Sequence, residues 1–414
     1  MAPPPEATGS ARLRCVIVGA GLGGLAAAIA LRRAGHEVVV VEQADALGTV
    51  GAGIQMAPNA SRLLDRWGVV ARFASVGVPA EAAIRRSWDT GEVLGEAPMG
   101  QALIDRVGAS YWCLHRADLH SALVGAATDP GDPGSPAEIR LSAPATAVVS
   151  TGPDEAVVVA GDEEVRGDLV IGADGIRSVV RTDLFGPKSP WFSGRVTNRH
   201  VLDASLIRAD EELAALIERP AQNIWLGPDG HVITHPIKGG DGLYMGVTRA
   251  GLEPDDAFWS APVDPEELKA QIEGWDPRIH RLVDLAPTIT AYGLHDSEPM
   301  DAWSVERVGL LGDACHAMLP FQAQGAAQAI EDGAGLAVAL ARHGDDVPAA
   351  LRRYEEIRKP RATRVQEASR ANASLWHLPE GPEQARRDEE LLSGAGDFKT
   401  YEWLWAPTGD LEDT

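Results

Sequence analysis

The sequence predicts a mixed α/β protein. In it, a nucleotide-binding domain with a parallel sheet is interrupted by a second domain on a mainly antiparallel sheet and followed by a C-terminal helical extension. Three observations predict this fold. A glycine-rich loop joins a buried strand to a small-residue helix near the N-terminus. Strand-like runs separated by glycine-rich turns fill the middle of the chain. A buried strand and a long helix return after residue 300, so the first domain is assembled from separate stretches.

The glycine-rich loop reads Gly19-Ala20-Gly21-Leu22-Gly23-Gly24. The apolar run 13–18 before it is typical of a buried parallel strand, and a helix and a second β-branched run follow it, ending at Glu42. In such a Rossmann-like unit the three glycines allow the turn, the approach of a pyrophosphate and close helix packing, while the acid binds a ribose. The sequence therefore predicts a dinucleotide site at Gly19, Gly21, Gly24 and Glu42.

The remaining elements follow from periodicity and turn signals. The pattern predicts helices over 58–67, 117–127, from 325 onward and over 349–371, a hairpin over 84–99, short strands over 139–170 and a buried strand over 303–311. Between residues 195 and 248 the runs VLDASLI, NIWLG, HVITHPI and LYMGV predict an antiparallel sheet.

These elements predict a discontinuous domain organisation. The expected ranges are 12–80, 100–182 and 295–375 for the nucleotide-binding domain, 81–99 and 183–294 for a substrate domain, 376–414 for the C-terminal extension and 1–11 for a disordered tail.

Composition limits the function. The formal net charge of −23 argues against nucleic-acid binding, which needs basic patches, and an anionic substrate would require a locally positive pocket. Three sparse cysteines without metal-ligand spacing suit a reducing cytoplasm and predict no metal site. The first residues do not have the pattern of a signal peptide, and we expect no membrane span.

Two later strings point to the cofactor and the chemistry. They are Gly172-Ala173-Asp174-Gly175-Ile176-Arg177-Ser178 and Gly312-Asp313-Ala314-Cys315-His316, the latter followed by Pro320 and Gln324-Gly325-Ala326. With the glycine loop they resemble the three-motif signature of the class A FAD-dependent aromatic hydroxylases, single-component flavoprotein monooxygenases. Four further strings resemble the salicylate hydroxylase and 3-hydroxybenzoate 6-hydroxylase branch: residues 50–55 (VGAGIQ), 58–60 (PNA), 115–120 (HRADLH) and 319–325 (LPFQAQG).

The resemblance implies residue roles. Gly19, Gly21 and Gly24 would hold the FAD pyrophosphate, Glu42 the adenosine ribose, Arg116 the phosphates and Asp313 the ribityl chain. Asp174 belongs to a motif associated with both FAD and pyridine-nucleotide contacts; for Asp174 and Asp313 the alternative is a loop-capping turn. The same motifs bring Gly53, Pro320, Gly325 and Ala326 into the FAD site. Cys315 departs from the family, which often has alanine there.

The resemblance also implies the reaction. NADH or NADPH would reduce the flavin, O₂ would give a C4a-hydroperoxide, and a small phenolic or hydroxybenzoate-type substrate would be hydroxylated. His231 and His235 are the candidate bases: on a strand they share one face with Ile233, about 13 Å apart end to end, too far for one metal to bridge. His231 is favoured, and a satisfied sheet histidine is the other possibility. Gln324 and Gln322 are candidate hydrogen-bonding groups, and Arg249 a candidate partner for a substrate carboxylate.

Several points stay open at this stage. Trp191, Phe192, Trp225, Tyr244 and Phe321 are candidates to line a ring-binding cavity, of which one or two are expected to do so. Alternative functions are a same-fold epoxidase or tailoring oxygenase on a larger natural product, and a non-catalytic flavin-binding protein. The sequence does not decide the substrate, the ring position, decarboxylation, NADH against NADPH, or monomer against homodimer.

Overall fold

The computed structural model describes residues 12–48, 52–188, 190–250, 258–394 and 401–411. The predicted tail 1–11, the start of the string 50–55 and the last residues of the C-terminal extension lie outside the described residues.

The strands are as follows: β1 Arg14–Val18, β2 Glu37–Val41, β3 Gly53–Met56, β4 Val78–Pro79, β5 Ala82–Ser87, β6 Val93–Pro98, β7 Trp112–His115, β8 Glu138–Arg140, β9 Ala145–Thr151, β10 Ala156–Ala160, β11 Glu163–Gly167, β12 Leu169–Gly172, β13 Trp191–Asp203, β14 Ala221–Gly227, β15 Gly230–Ile237, β16 Gly242–Arg249, β17 Ser260–Pro262, β18 Thr290–Asp296, β19 Ser304–Val305 and β20 Val308–Leu310.

The helices are as follows: α1 Leu22–Arg33, α2 Pro58–Arg66, α3 Val69–Phe73, α4 Gly100–Val107, α5 Arg116–Thr128, α6 Val179–Phe185, α7 Ala204–Arg208, α8 Glu211–Ala214, α9 Pro265–Gln271, α10 Pro277–Asp284, α11 Asp313–His316, α12 Gly325–His343, α13 Val347–Trp376, α14 Pro382–Leu392 and α15 Glu402–Trp405.

A largely parallel sheet organises the first domain, in the order β19-β20-β12-β1-β2-β8. The β-branched runs of β1, β2 and β12 are buried because helices cover the sheet, and this accounts for their continuous apolar character. Helix α12 crosses α1 so closely that a Cβ on Gly333 would lie 2.8 Å from the Ala27 nitrogen. This contact joins two helices whose touching residues, Ala27 and Gly333, are 306 positions apart along the chain, so the first domain is built from distant stretches.

The second large sheet has the order β17-β18-β13-β16-β15-β14-β5-β6 and is antiparallel except where β14 meets β5. Successive side chains along each strand point to opposite faces of this sheet. One face buries Trp225, Val232 and Met245 in a separate core with helices α8 to α10. The other face is turned toward the first domain. The division into two domains stays a prediction, which this distribution of strands supports.

The predicted strand VLDASLI (residues 201–207) is wrong in its second half. Strand β13 ends at Asp203, and the next residues form the short helix α7. The cause is local: the Asp203 carboxylate accepts a hydrogen bond of 2.8 Å from the Ser205 backbone N–H, which caps the helix.

Helix α13 and the segment 401–411 pack across the first domain. The Arg361 guanidinium donates to the carbonyls of Trp403 and Leu404, at 3.1 and 2.6 Å, and the Arg364 guanidinium lies 3.8 Å from the Trp403 ring centroid. The described part of the aromatic C-terminal extension is thus held on its own chain. None of the helices in the described ranges combines the length and hydropathy that crossing a bilayer requires.

Candidate active site

A cavity of about 520 Å³ lies between the two large sheets. Ten of the predicted site residues line it: Gly21, Gly53, Arg116, His231, His235, Asp313, Pro320, Gln324, Gly325 and Ala326. Four do not: Gly19, Gly24, Glu42 and Asp174. The structure therefore gathers the three separated motifs around one space.

The three motif glycines have different spatial roles. Gly19 has φ +105°, and a Cβ there would lie 2.5 Å from the Ala173 carbonyl oxygen. A Cβ on Gly24 would lie 2.0 Å from the Gly19 carbonyl oxygen. Gly21 has no heavy atom within 4 Å of the equivalent point, and its backbone faces the cavity. The first and third glycines are required by packing, while the second leaves room for a ligand.

Glu42 and Asp174 support the turns that surround the cavity. The Glu42 carboxylate accepts hydrogen bonds from the backbone N–H groups of Ala20 and Ala44, at 2.7 and 2.9 Å. One Asp174 oxygen accepts from the N–H of Val179 at the start of α6, at 2.7 Å. The other Asp174 oxygen, Oδ1, is buried and has no hydrogen-bond partner among the described residues. Asp174 thus caps the start of α6, in line with the loop-capping alternative that the sequence left open, and one of its carboxylate oxygens stays without a partner among the described residues.

Arg116 and Asp313 place opposite charges on the cavity wall. Arg116 begins α5, and its guanidinium pKa is lowered by burial, an effect that Asp313 opposes. The Asp313 side chain is accessible from the cavity yet enclosed by protein, and this enclosure raises its pKa, against the influence of His316 and Arg116. The Arg116 guanidinium and the Asp313 carboxylate, at one end of the cavity, suit a ligand that carries both phosphates and hydroxyls.

The loop 320–324 ends at the N-terminus of the 19-residue helix α12. Ala323 has φ +53°, an uncommon conformation for a residue with a side chain, and Gly325 and Ala326 open the helix on the cavity. The first N–H groups of a helix carry partial positive charge. The loop therefore aims donors into the cavity. Gln322 Oε1, in the same loop, is buried without a partner among the described residues.

A buried polar network lies beneath this loop. The Gln324 side-chain oxygen accepts from Asn59 at 3.0 Å and from Gln328 at 3.1 Å. Asn59 also donates to Glu331 at 2.6 Å, and Arg358 pairs with both Glu331 and Asp332.

The network ends at the motif Gly312-Asp313-Ala314-Cys315-His316. The Asp332 carboxylate accepts from the Gly312 backbone N–H at 2.9 Å and lies 2.6 Å from His316 Nε2. Through Arg358, Glu331 and Asn59, the network therefore connects Gln324, in the loop before α12, to Gly312, the residue before Asp313.

The antiparallel sheet forms the other wall of the cavity. The register places Arg85, Ile224, Ile233, Gly246 and Arg199 in one row across β5, β14, β15, β16 and β13. These residues, except Gly246, line the cavity. With strands about 4.8 Å apart and 3.4 Å per residue, the Cα atoms of Arg85 and His231 are about 12 Å apart on the same face.

The two histidines of β15 differ in their surroundings. His231 Nδ1 lies 2.8 Å from His377 Nε2, and the ring meets the edges of Phe321 and Trp376. Burial lowers the pKa of His231 to about 3.

His235 is packed between β3 and β16. Its ring lies against Tyr244, and a Cβ on Gly53 would lie 2.5 Å from His235 Cε1. Burial lowers the pKa of His235 to about 4, although a hydrogen bond to the Pro236 carbonyl opposes the shift. Of the aromatic candidates, Tyr244 and Phe321 line the cavity, whereas Trp225 is buried on the opposite face.

Sequence reasoning missed several cavity residues. Arg85 carried a weak signal, alternation within a short strand, while Tyr401 and Trp405 reach the site only through the fold of the C-terminal extension. The sequence suggested Arg249 as a carboxylate partner. Arg249 does not line the cavity; its guanidinium donates to the Pro228 carbonyl at 3.0 Å.

The cavity fits FAD on its own geometry. It offers an uncrowded backbone at Gly21, a guanidinium at Arg116, a carboxylate at Asp313 and a helix N-terminus at Gly325. Within the described ranges, no group of His, Cys, Asp and Glu side chains is arranged to hold a metal ion.

Comparison with known proteins agrees with this geometry. Residues 12–369 match the sequence profile of the FAD binding domain family. The chain is 37% identical over 402 residues to the 3-amino-4-hydroxybenzoate 2-monooxygenase PtmB3 of Streptomyces platensis, covering 96% of this chain and 98% of that protein. It is 33% identical over 402 residues to the 3-hydroxybenzoate 6-hydroxylase of Polaromonas naphthalenivorans (strain CJ2), covering 95% and 96%.

The fold is similar to that of a salicylate hydroxylase solved as a substrate complex. The TM-score is 0.79 at 24% identity, with 95% of each chain covered. The predicted mixed α/β fold is confirmed. The chain belongs to the FAD binding domain family, and it is an FAD-dependent monooxygenase that hydroxylates a small aromatic substrate.

Proposed function

We propose that this monooxygenase hydroxylates a monocyclic aromatic acid with a phenolic hydroxyl group, using NADH or NADPH as reductant. The observation that carries the proposal is the placement of Arg85 and His231 on one face of the cavity wall. The Streptomyces and Polaromonas relatives, named for an aminohydroxybenzoate and a hydroxybenzoate, support the same substrate class.

The spacing suits a hydroxybenzoate. The two Cα atoms are about 12 Å apart, and an arginine and a histidine side chain approach each other from the two ends of that span. A benzene ring with a carboxylate at one side and a hydroxyl at the other fits between them. Ile224 and Ile233, in the same row as Arg85, give the ring an apolar surface.

Local charge supports an anionic substrate. Arg85, Arg116 and Arg199 line the cavity, and Asp313 is the carboxylate among its described lining residues. Arg116 is placed for the FAD phosphates, which leaves Arg85 and Arg199. The Arg199 guanidinium already lies over the Tyr292 ring, 5.0 Å from its centroid, and its charge acts on Arg116. We therefore assign the substrate carboxylate to Arg85. Arginine binds carboxylates through two parallel hydrogen bonds, which fixes the ring orientation as well as adding affinity.

We infer that Gly21 and Arg116 hold the FAD pyrophosphate, Asp313 the ribityl chain, and the α12 N-terminus at Gly325 the flavin ring. Bound FAD supplies the redox chemistry that activates O₂. Gly19 and Gly24 shape the loop, and Gly53, Pro320 and Ala326 complete the wall.

Glu42 and Asp174 support the FAD site from its margin. Both carboxylates hold backbone N–H groups next to the glycine loop or α6. We propose that Glu42 also reaches the adenosine ribose and that the free Asp174 oxygen accepts from FAD or the pyridine nucleotide.

We assign His231 to contact with the phenolic oxygen of the substrate, while Phe321 and Trp376 exclude water around it. Gln324 acts on the position of the loop before α12 through Asn59 and Gln328. His235 is assigned to packing at the junction with Gly53.

We also propose that the protein works in the cytoplasm as a monomer or homodimer, without nucleic acid. Its three cysteines are buried and unpaired, which suits a reducing compartment. The net charge of −23 opposes binding to a phosphate backbone.

The test is a screen of hydroxybenzoates and hydroxypyridines that follows NADH or NADPH absorbance and peroxide together. Arg85→Met should raise KM for the best acid by about tenfold to a hundredfold, the effect of losing a charged hydrogen bond. The matching neutral amide should be affected little. Equal effects on acid and amide would contradict the role of Arg85, and no substrate-stimulated oxidation with any aromatic acid would contradict the proposed function.

A further inference from the structure

His231 is paired with a histidine from the end of helix α13. His377 follows Trp376, the last residue of α13, and its Nε2 lies 2.8 Å from His231 Nδ1 with the two rings nearly parallel, at 15°. Both side chains are buried. On the far side, His377 Nδ1 lies 3.4 Å from Arg195 Nε. The three side chains thus form a chain that starts at a guanidinium and ends at the cavity.

The donors and acceptors along this chain have one consistent arrangement. A guanidinium N–H only donates, so His377 Nδ1 must accept from Arg195. A neutral imidazole that accepts at one nitrogen carries its proton on the other, so His377 Nε2–H donates to His231 Nδ1. His231 then carries its proton on Nε2, the nitrogen left for a ligand in the cavity.

We propose that Arg195 and His377 are positioning residues that fix His231 as a hydrogen-bond donor to the ionised phenolic oxygen of the substrate. This inference rests on the proposed function and differs from the base role expected for His231 from the sequence. The O–H bond of the phenol breaks as the substrate binds. Its proton passes to bulk water, the electron pair stays on the oxygen, and neither histidine changes its protonation state.

The surroundings keep both rings neutral. Burial lowers the pKa of His231 to about 3. Burial, His231 and three arginines, Arg195, Arg249 and Arg387, lower the pKa of His377 to about 2. A second proton on either ring is therefore opposed by desolvation and by the cationic groups that face the pair.

The same groups favour an anion next to His231. A phenolate that accepts from Nε2–H lies at the end of a chain of donors that begins at Arg195. To act as a base at Nε2, His231 would have to donate from Nδ1, and His377 would then direct an N–H at the Arg195 N–H.

The experiment measures proton release on binding to the oxidised, FAD-loaded enzyme. Isothermal titration calorimetry is run in buffers of different ionisation enthalpy. The pH is about 7, well below the ordinary phenol pKa of about 10. The probe is 3-amino-4-hydroxybenzoate or, if that does not stimulate NADH oxidation, the hydroxybenzoate of the screen that does. About one proton released per ligand is expected. A probe that stimulates NADH oxidation but releases no proton overturns the inference and leaves the proposed function standing, whereas failure of every hydroxybenzoate refutes both.

Variants separate positioning from packing. His377→Gln keeps an acceptor for Arg195 and a donor for His231, so proton release should persist. His377→Ala should weaken binding of the phenolic probe by about tenfold, the effect of a weakened hydrogen bond to a charged group, and reduce proton release. Binding of benzoate, which has no hydroxyl, should be unchanged. Equal weakening for benzoate and the phenol would show a merely structural role and overturn the inference. His280→Ala, a histidine of α10 outside the cavity lining, is the matched control.

Discussion

Replacing Arg358 with methionine should destabilise the protein by about 3–5 kcal/mol, because it leaves two buried carboxylates without their shared counter-charge. Arg358 is fully buried and donates to Asp332 at 2.9 Å, to Glu331 and to the Gln328 side chain at 2.7 Å. Methionine fills similar volume but supplies no donor, so packing changes little and the electrostatic effect dominates.

Glu331 and Asp332 keep other partners in the variant, so the expected loss of stability lies at the lower end of that range. Arg361 still pairs with Glu331 at 2.7 Å, and His316 still lies 2.6 Å from Asp332. With an unfolding entropy of about 2.1 cal/mol/K per residue, a loss of about 3 kcal/mol corresponds to a fall in Tm of about 3–4 °C for a chain of this length. FAD affinity should fall as well, because Asp332 holds the Gly312 N–H beside Asp313.

The assay is thermal unfolding, followed by circular dichroism and by release of FAD fluorescence, with Arg353→Met as control. Arg353 lies on the same helix in an exposed pair with Glu356, and its loss should cost less than about 1 kcal/mol. A drop for Arg358→Met no larger than for this control would refute the reasoning.

The stability that Glu331 and Asp332 contribute depends on pH in a defined direction. Counter-charges and hydrogen bonds lower the pKa of Glu331 and Asp332 in the folded state, despite burial. Their stabilisation is present above the unfolded pKa of about 4 and is lost as pH falls through the lower folded values. Without Arg358 the carboxyls protonate more readily, so the difference in Tm between wild type and variant should narrow from about pH 7 to about pH 5.

Three further outcomes are expected. Gly21→Ala should leave the Tm of the FAD-free protein unchanged but weaken FAD binding measured by fluorescence, whereas Gly24→Ala should lower that Tm as well; equal effects on both measurements would contradict the assignment. Trp405→Ala should raise KM for small acids and admit a bulkier phenol, since Trp405 lines the cavity, and an unchanged substrate profile would contradict this. Burial lowers the pKa of His200 to about 4 and of His231 to about 3, so each contributes stability that is lost as pH falls below the unfolded pKa of about 6.5, on the order of 1 kcal/mol per pH unit; the acid-side fall in Tm should be smaller in His200→Phe.

The half of the cavity that we propose for FAD could be predicted from the sequence because its signals are local. Each motif is a strand end followed by a turn whose geometry dictates particular residues, as with Gly19 at φ +105°. Since the carboxyl ends of parallel strands meet at one edge of a sheet, β1, β12 and β20 bring the three motifs together. The same reasoning failed at residues 201–207, where the Asp203 cap overrides the strand-like pattern.

The half that we propose for the substrate was less predictable, because its residues come together only through strand register and contacts between the domains. His231 and His235 were placed on one face by alternation alone. Arg85 required knowledge that β5 pairs with β14, more than 130 residues away along the chain. His377 follows the end of α13, and Trp405 lies at the end of α15. Both reach the site because these helix ends pack on other elements, and the periodicity of the sequence does not predict that packing.

The charge of this molecule shows why local geometry decides ligand preference. At physiological ionic strength the field of an exposed charge is screened within about 8 Å, so most of the net −23 acts outside the cavity. Inside, three arginines face one carboxylate among the described lining residues. The buried Glu331 and Asp332 are neutralised by Arg358 and Arg361 before their charge reaches the cavity. An acidic protein can therefore present a cationic site, because buried carboxylates such as Glu331 and Asp332 lie in closed networks away from the cavity lining while three of its arginines line the cavity.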